Sequence, residues 1–142
     1  MFSTVCDGLR YTLTCIINND ALSLVDTIVD TGAFWTCYKA SEISEELSEI
    51  QFVDKDFKDI GGFINGTKNN NSVRFYRFDV KQFTIGTVDL GSQTIWITFD
   101  DRINDNVLGM DILRKVAYLQ YEDSDAMYFF KDKDELKKFV IQ

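Results

Sequence analysis

Short runs of β-branched and aromatic residues, alternating with polar ones and separated by Gly, Asn and Asp turn signals, recur along most of this chain. The first instance is the sharpest. Asp7-Gly8 stands between Phe2-Ser3-Thr4-Val5-Cys6 and the run from Leu9 to Ile17, which predicts two strands paired as a hairpin. Asn18-Asn19-Asp20 forms the next turn, and Ala21 to Val29 predicts a third strand that runs straight into Asp30-Thr31-Gly32-Ala33. Further strands are expected over 73–85, 93–99, 117–121 and 126–130, with Asp123-Ser124-Asp125 turning the last pair.

Helical signals are few. Ser41 to Leu47 predicts a short helix with Ser41 as N-cap and Glu42, Glu45 and Glu46 near its positive end. Met110 to Lys115 predicts a second, fed by the strand end Asn106-Val107-Leu108-Gly109. The segment 132–142 reads as a charged amphipathic helix with Leu136, Phe139 and Val140 on its apolar side. Between Ile60 and Ser72 the glycines Gly61, Gly62 and Gly66 and the run Lys68-Asn69-Asn70-Asn71 predict an exposed loop. No linker, repeat or low-complexity stretch divides the chain. The expectation is one domain over residues 1–142, all-β with short helices. A chain of 142 residues buries roughly two thirds of its unfolded surface, enough for a core without staples.

Composition narrows the chemistry. The chain has no His, which removes Ser-His and Cys-His nucleophile pairs and every metal site with an imidazole ligand. Cys6, Cys15 and Cys37 form no C-x-x-C pair, so a structural zinc site is not expected, and the chain is read as acting without metal or cofactor. A net charge of −8 argues against nucleic acid or an anionic membrane as partner, since both are bound by clustered Lys and Arg. Nowhere do 18 apolar residues run together, and Met1 to Cys15 carries no basic segment leading into an apolar one. These features predict a soluble, cytoplasmic protein, and Met1 suggests independent expression.

With imidazole absent, the search falls on a carboxylate held open to a substrate by glycine-dependent backbone. Asp30 satisfies that description: it ends an apolar strand, Gly32 permits a tight turn, and the N–H groups of Gly32 and Ala33 can approach the carboxylate. Taken alone, Asp-Thr-Gly reads equally as an ordinary strand-ending turn. Far downstream stands a second motif, Asn106-Val107-Leu108-Gly109-Met110-Asp111-Ile112-Leu113.

Together, Val29-Asp30-Thr31-Gly32-Ala33 and this second segment resemble the retropepsin-like aspartic protease family, over about Tyr11 to Tyr121. The likeness is closer to the cellular and bacterial branch than to the viral enzymes, because of Asp111. It implies a small closed β-barrel in which Val107-Leu108-Gly109 packs behind the catalytic loop, a side chain at Gly109 striking that loop. It implies Asp30 as the catalytic residue, supported by Thr31, Gly32, Ala33, Leu108 and Gly109. Asp111 is assigned a structural role, as helix N-cap or charge partner. The family's flap would fall on the Gly-rich stretch, with Gly61, Gly62, Phe63 and Ile64 over the substrate; a merely exposed loop is the other reading of the same residues.

The family's chemistry needs two Asp side chains sharing one proton, and this sequence has one Asp-Thr-Gly. Asp26-Thr27 lacks the glycine and lies mid-strand, so Asp26 is expected to point outward. The resemblance therefore implies a two-fold homodimer with one Asp30 from each subunit, a polypeptide substrate in strand-like conformation, and Thr31 hydroxyls reaching into the partner's loop. Two chains of −8 repel at neutral pH, which with the shared proton predicts activity peaking below neutrality. A noncatalytic module keeping the same barrel for dimerisation or peptide binding is the competing expectation. The charged tail would either cover a barrel end or regulate dimerisation. Cys37 is expected as a buried small hydrophobe, Phe34 and Trp35 as cleft lining or core, and Asp100-Asp101 with Asp105 as a solvated turn.

Overall fold

A computed structural model describes residues 2–7, 10–63, 72–120 and 126–141 of the chain. Twelve strands dominate it: β1 (Phe2–Asp7), β2 (Arg10–Asn18), β3 (Leu22–Val29), β4 (Cys37–Lys39), β5 (Phe57–Ile60), β6 (Val73–Val80), β7 (Gln82–Ile85), β8 (Val88–Asp89), β9 (Gln93–Thr98), β10 (Val107–Leu108), β11 (Ala117–Gln120) and β12 (Ala126–Phe130). Three short helices, α1 (Ala40–Ile43), α2 (Met110–Leu113) and α3 (Lys133–Ile141), and one 3-10 turn over Glu49–Phe52 complete the described structure. The expected class, mostly β with short helices, is the one observed.

The alternation in the sequence becomes the alternation of burial. On β2, Leu13, Cys15 and Ile17 point inward while Thr12 and Thr14 are exposed; on the antiparallel β3, Val25 and Thr27 are buried and Asp26 is exposed, accepting a bond from the Thr14 hydroxyl at 3.2 Å. The opening hairpin forms, with Cys6 opposite Tyr11 and Asp7 opposite Arg10; its turn, like that of Asp123-Ser124-Asp125, lies outside the described residues. β1 also pairs with β12, Phe2 opposite Phe129, so both ends of the chain are tied into one sheet. The tail helix α3 lies against that sheet, with the Phe139 ring 5.3 Å from both Tyr128 and Phe130.

Three sequence expectations change. The strand over 73–85 is broken at Lys81: β6 pairs with β9 whereas β7 pairs with β2 and β8. Inward positions shift from even (Tyr76, Val80) to odd (Phe83, Ile85), and one bent residue accommodates the shift as the chain changes partners. The helix expected over 41–47 ends at Ile43 because Ser44 turns extended, and its N-cap position is Lys39 rather than Ser41. The closed barrel is also corrected. The hydrogen-bonded order β11-β12-β1-β2-β3-β10-β4-β9-β6-β5 has two separate ends, with β7 and β8 branching from β2, and no described pairing joins β11 to β5.

Strand β9 lies between β4 and β6 and is buried on both faces. Ile95 and Ile97 face the main core with Tyr38, Phe83 and Leu108, while Trp96 faces a smaller cluster of Cys37, Val73, Phe75 and Ile103. Trp35, Ile60 and Phe63 pack onto that smaller cluster, which places an aromatic floor beside the Asp30 loop.

Candidate active site

The Asp30 loop connects two strands that do not pair with each other. β10, arriving from far along the sequence, fills the space between them, parallel to β3 (Val107 opposite Ile28, Leu108 opposite Val29) and antiparallel to β4 (Val107 opposite Cys37). Asn106 fixes this insertion. Its carbonyl accepts from the Ile28 N–H at 2.8 Å, its side-chain oxygen accepts from the Lys39 N–H at 2.9 Å, and its amide donates to the Asp26 carbonyl at 3.2 Å. A buried amide bonded on three sides tolerates little shift in register.

The loop is then bonded to β10 and α2 along its length. The Asp30 N–H donates to the Leu108 carbonyl at 3.0 Å, and the Ala33 and Phe34 carbonyls accept from the Met110 and Asp111 N–H groups at 2.8 and 2.9 Å. Inside the loop, the Gly32 N–H donates to the Asp30 carboxylate at 2.8 Å and the Ala33 N–H to the Asp30 carbonyl at 3.1 Å. A Cβ at Gly109 would lie 2.5 Å from the Trp35 carbonyl oxygen and 3.0 Å from that of Ala33. Glycine is required there by space, since its φ of −100° is open to any residue.

Asp111 is a structural residue, but it does not cap the helix. Gly109 holds the N-cap position of α2, and the Asp111 carboxylate instead accepts from the Thr36 hydroxyl at 2.6 Å and the Ile112 N–H at 2.8 Å. The same Thr36 oxygen accepts from the Gly109 N–H at 3.0 Å, so one buried hydroxyl joins the loop, the glycine and the helix. Sequence reasoning passed over Thr36, whose sign was a polar residue set within the apolar stretch 34–38, and it placed Asn106 at the head of the second motif without a role of its own.

Asp30, Thr31 and Gly32 are exposed, and the Asp30 side chain stands between two clefts. One, of about 410 Å³, is lined on its far side by Tyr11, Gln120 and Met127, with the Gln120 amide donating to the Tyr11 hydroxyl at 2.9 Å. The other, of about 400 Å³, runs from Gly32, Ala33 and Phe34 to Ile60, Gly61, Gly62 and Phe63. β5 and β6 pair as antiparallel strands on either side of that Gly-rich stretch, and the Phe63 ring lies 5.0 Å from Phe75. Of the four flap candidates, Gly61, Gly62 and Phe63 thus border the Asp30 cleft, while Ile64 lies outside the described residues.

Phe34 and Trp35 both line that cleft. Phe34 is 53% exposed there, and Trp35 also packs edge-on against Trp96 at 5.7 Å, beneath the Lys58 ammonium 4.3 Å from its ring centre. Cys37 is buried, and burial, followed by the Asp111 charge, pushes its thiol far up from the ordinary value; the thiol is protonated at neutral pH and is no nucleophile. Asp100 forms the expected solvated turn, with its carboxyl held low by hydrogen bonds from the Arg102 guanidinium and backbone. Asp105, grouped with that turn from the sequence, instead borders both clefts beside Asp30. No group of three or more His, Cys, Asp or Glu suited to a metal ion occurs among the described residues, and none of their helices is long and apolar enough to cross a membrane.

No protein-family sequence profile matches the chain, and no curated protein matches it at the sequence level. The fold is more informative. A retropepsin-like aspartic protease from Rickettsia conorii has a crystal structure that superposes on 90% of this chain and 88% of its own, with a TM-score of 0.64 at 12% sequence identity. The chain therefore has a retropepsin-like fold, with its one Asp-Thr-Gly loop exposed between two clefts.

Proposed function

We propose that this protein is an aspartic endopeptidase, one domain over residues 1–142, that acts as a homodimer in the cytoplasm. The observation that carries the reading is the construction of the Asp30 loop. A carboxylate stands exposed between two clefts while Leu108, Met110 and Asp111 behind it are hydrogen-bonded to its loop and Gly109 is close-packed against it. Rigid support under an exposed acid is what proton transfer to a bound substrate requires.

The mechanism follows from the need for a second carboxylate. Asp30 of each subunit faces the other across the two-fold axis, and two carboxyl groups so placed share one proton. The ionised member takes a proton from water, whose oxygen attacks the scissile carbonyl carbon while the protonated member bonds the carbonyl oxygen as its charge grows; the tetrahedral intermediate then collapses, breaking the C–N bond as the leaving amine takes a proton from the dyad. Thr31, exposed at the loop tip, is available to the partner's loop, and Gly61, Gly62, Phe63 and Ile64 close over an extended peptide. The dimer carries twice −8, so mildly acidic pH or added salt favours its assembly and activity peaks below neutrality. The unpaired thiols Cys15 and Cys37 suit a reducing compartment.

The test is digestion of a mixed peptide library by the wild type and by Asp30→Asn, with and without a statine-type inhibitor. The expected result is inhibitor-sensitive cleavage lost by at least about a thousandfold in Asp30→Asn, at unchanged melting temperature and solution mass. Cleavage retained in Asp30→Asn, or a strict monomer at high concentration and acidic pH, overturns the proposal.

A further inference from the structure

The contacts between the Asp30 loop, Thr36 and α2 form one continuous path. The Asp30 N–H donates to the Leu108 carbonyl at 3.0 Å, and that carbonyl shares a planar peptide group with the Gly109 N–H, which donates to the Thr36 hydroxyl oxygen at 3.0 Å. The Thr36 hydroxyl has a single proton and donates it to the Asp111 carboxylate at 2.6 Å. Three hydrogen bonds and one rigid peptide plane thus connect the Asp111 carboxylate to the backbone of Asp30, and all three donors point toward Asp111.

That common direction decides what the chain can do. Each bond polarises the next, and the negative charge at the end strengthens all of them. Thr36 and Leu108 are fully buried, so the middle of the chain crosses a medium of low dielectric where the polarisation is least screened. The Asp111 carboxylate is itself fixed, since its Oδ1 also accepts from the Ile112 N–H at 2.8 Å and its backbone N–H donates to the Phe34 carbonyl at 2.9 Å. A fixed acceptor directs the Thr36 proton and leaves a lone pair of the same oxygen for the Gly109 N–H.

We infer that Asp111 is a positioning residue: its charge, carried through Thr36 and the Leu108–Gly109 peptide group, fixes the backbone of Asp30 and with it the direction of the Asp30 carboxylate. The catalytic consequence rests on the proteolytic reading of Asp30, whereas the chain of bonds does not. A carboxyl group that must share a proton with its partner is sensitive to small displacements, and a misplacement of about 1 Å costs about a hundredfold in rate.

Two measurements on the full chain test this. The first is the NMR shift of the Asp30 and Gly109 amide protons in the wild type, Asp111→Asn and Thr36→Ser. Asp111→Asn keeps an acceptor oxygen, held in place by the Ile112 N–H, and removes the charge. Both amide protons should move upfield, Gly109 more than Asp30, while Thr36→Ser keeps the hydroxyl and should leave both near their wild-type positions. An Asp30 proton that stays fixed in Asp111→Asn overturns the inference.

The second measurement is peptide cleavage. In Asp111→Asn kcat should fall about 3–10-fold, the difference between a charge-assisted and a neutral hydrogen bond, with KM within about twofold of wild type. Asp111→Leu removes the acceptor, so kcat should fall about 10–100-fold. The Ki of a statine-type inhibitor should rise by the same factor, because a transition-state mimic depends on the dyad as the reaction does. Thr36→Ser should retain most of the wild-type kcat. Ile17→Val, a core change at the far end of β2 from Asp30, is the control for stability: it should lower the melting temperature and leave kcat per folded protein unchanged. If the Asp111 variants behave like this control, the residue is merely structural, which overturns the inference and leaves the protease reading intact. Absence of any Asp30-dependent cleavage overturns the protease reading and the positioning role together.

Discussion

The Asp30 loop and the Gly61–Phe63 stretch face each other across one cleft, and both depend on glycine for opposite reasons. Behind the loop, Gly109 is needed because the backbone of Trp35 and Ala33 occupies the space of a side chain, at 2.5 and 3.0 Å from its Cβ. Across the cleft, a Cβ on Gly61 or Gly62 would meet nothing within 4 Å, and Gly62 has a φ of +92°. One glycine is imposed by packing and the other by backbone conformation. Hydrogen bonds hold the loop to β10 and α2, while a ring contact between Phe63 and Phe75 ties the facing stretch to the sheet. The two walls of the cleft thus differ in what a mutation can disturb.

The largest effect is expected from Gly109→Ala. The clash is with backbone atoms that cannot rotate away, so the substitution should destabilise the protein by about 3 kcal/mol or more and abolish activity, as read by thermal unfolding and peptide cleavage. A wild-type melting temperature in this variant would break the contrast between the two walls.

Alkaline pH should weaken the framework under the loop. Burial raises the Cys15 thiol from 9.0 to about 11, opposed by hydrogen bonds with Tyr38 and Thr27. Because the folded state holds this proton more tightly than the unfolded one, the stabilisation is complete below pH 9 and declines as pH rises from 9 through 11. That rise corresponds to up to about 3 kcal/mol, with Cys37 and Tyr38 acting in the same direction. Denaturant titrations at pH 7.5 to 11 should show this slope, reduced in Cys15→Val. An equally steep slope in that variant would exclude Cys15 as its source.

Thr36→Val keeps the side-chain shape but removes the hydroxyl shared by Gly109 and Asp111. It should cost about 2 kcal/mol, since the buried Gly109 N–H loses its partner, and it should lower kcat more than it raises KM as Asp30 loses its support. The facing wall should respond least. Gly62→Ala should cost about 1 kcal/mol through its positive φ, and Gly61→Ala should stay within about 0.5 kcal/mol. If Gly61→Ala matched Gly109→Ala in stability loss, the distinction between packed and open glycines would fail.

Local signals carried a great deal of this structure. The opening hairpin, β3 running into Asp30 and the segment 126–130 as a strand could be read directly, because each combines a run of strand-forming residues with a turn signal, whereas Val107-Leu108-Gly109 behind the loop came only from the family resemblance. What escaped was short or depended on distant partners. Cys37–Lys39 and Phe57–Ile60 are strands of 3 and 4 residues, too brief to show a period. Residues 73–85 appeared continuous because the change of partner at Lys81 leaves no mark beyond a shift in parity. Asp111 reads from the sequence as a helix cap or charge partner, whereas Gly109 holds the cap position and the Asp111 carboxylate accepts from Thr36, 75 positions earlier.

The residues alone therefore settled the kind of chain this is: acidic, without imidazole, built from alternating strands, and offering one Asp-Thr-Gly turn. These are properties of composition and of neighbours within a few positions, where sterics and hydrogen bonding act locally. The tertiary structure decided that β10 would separate β3 from β4, that the sheet would stay open, and that Asp105 would share two clefts with Asp30. Such arrangements depend on groups 75 or 80 positions apart coming within hydrogen-bonding distance, as Thr36 does with Asp111 and Asp26 with Asn106. Only the packed chain brings those groups together, because the free energy of each contact depends on all the others that bury it.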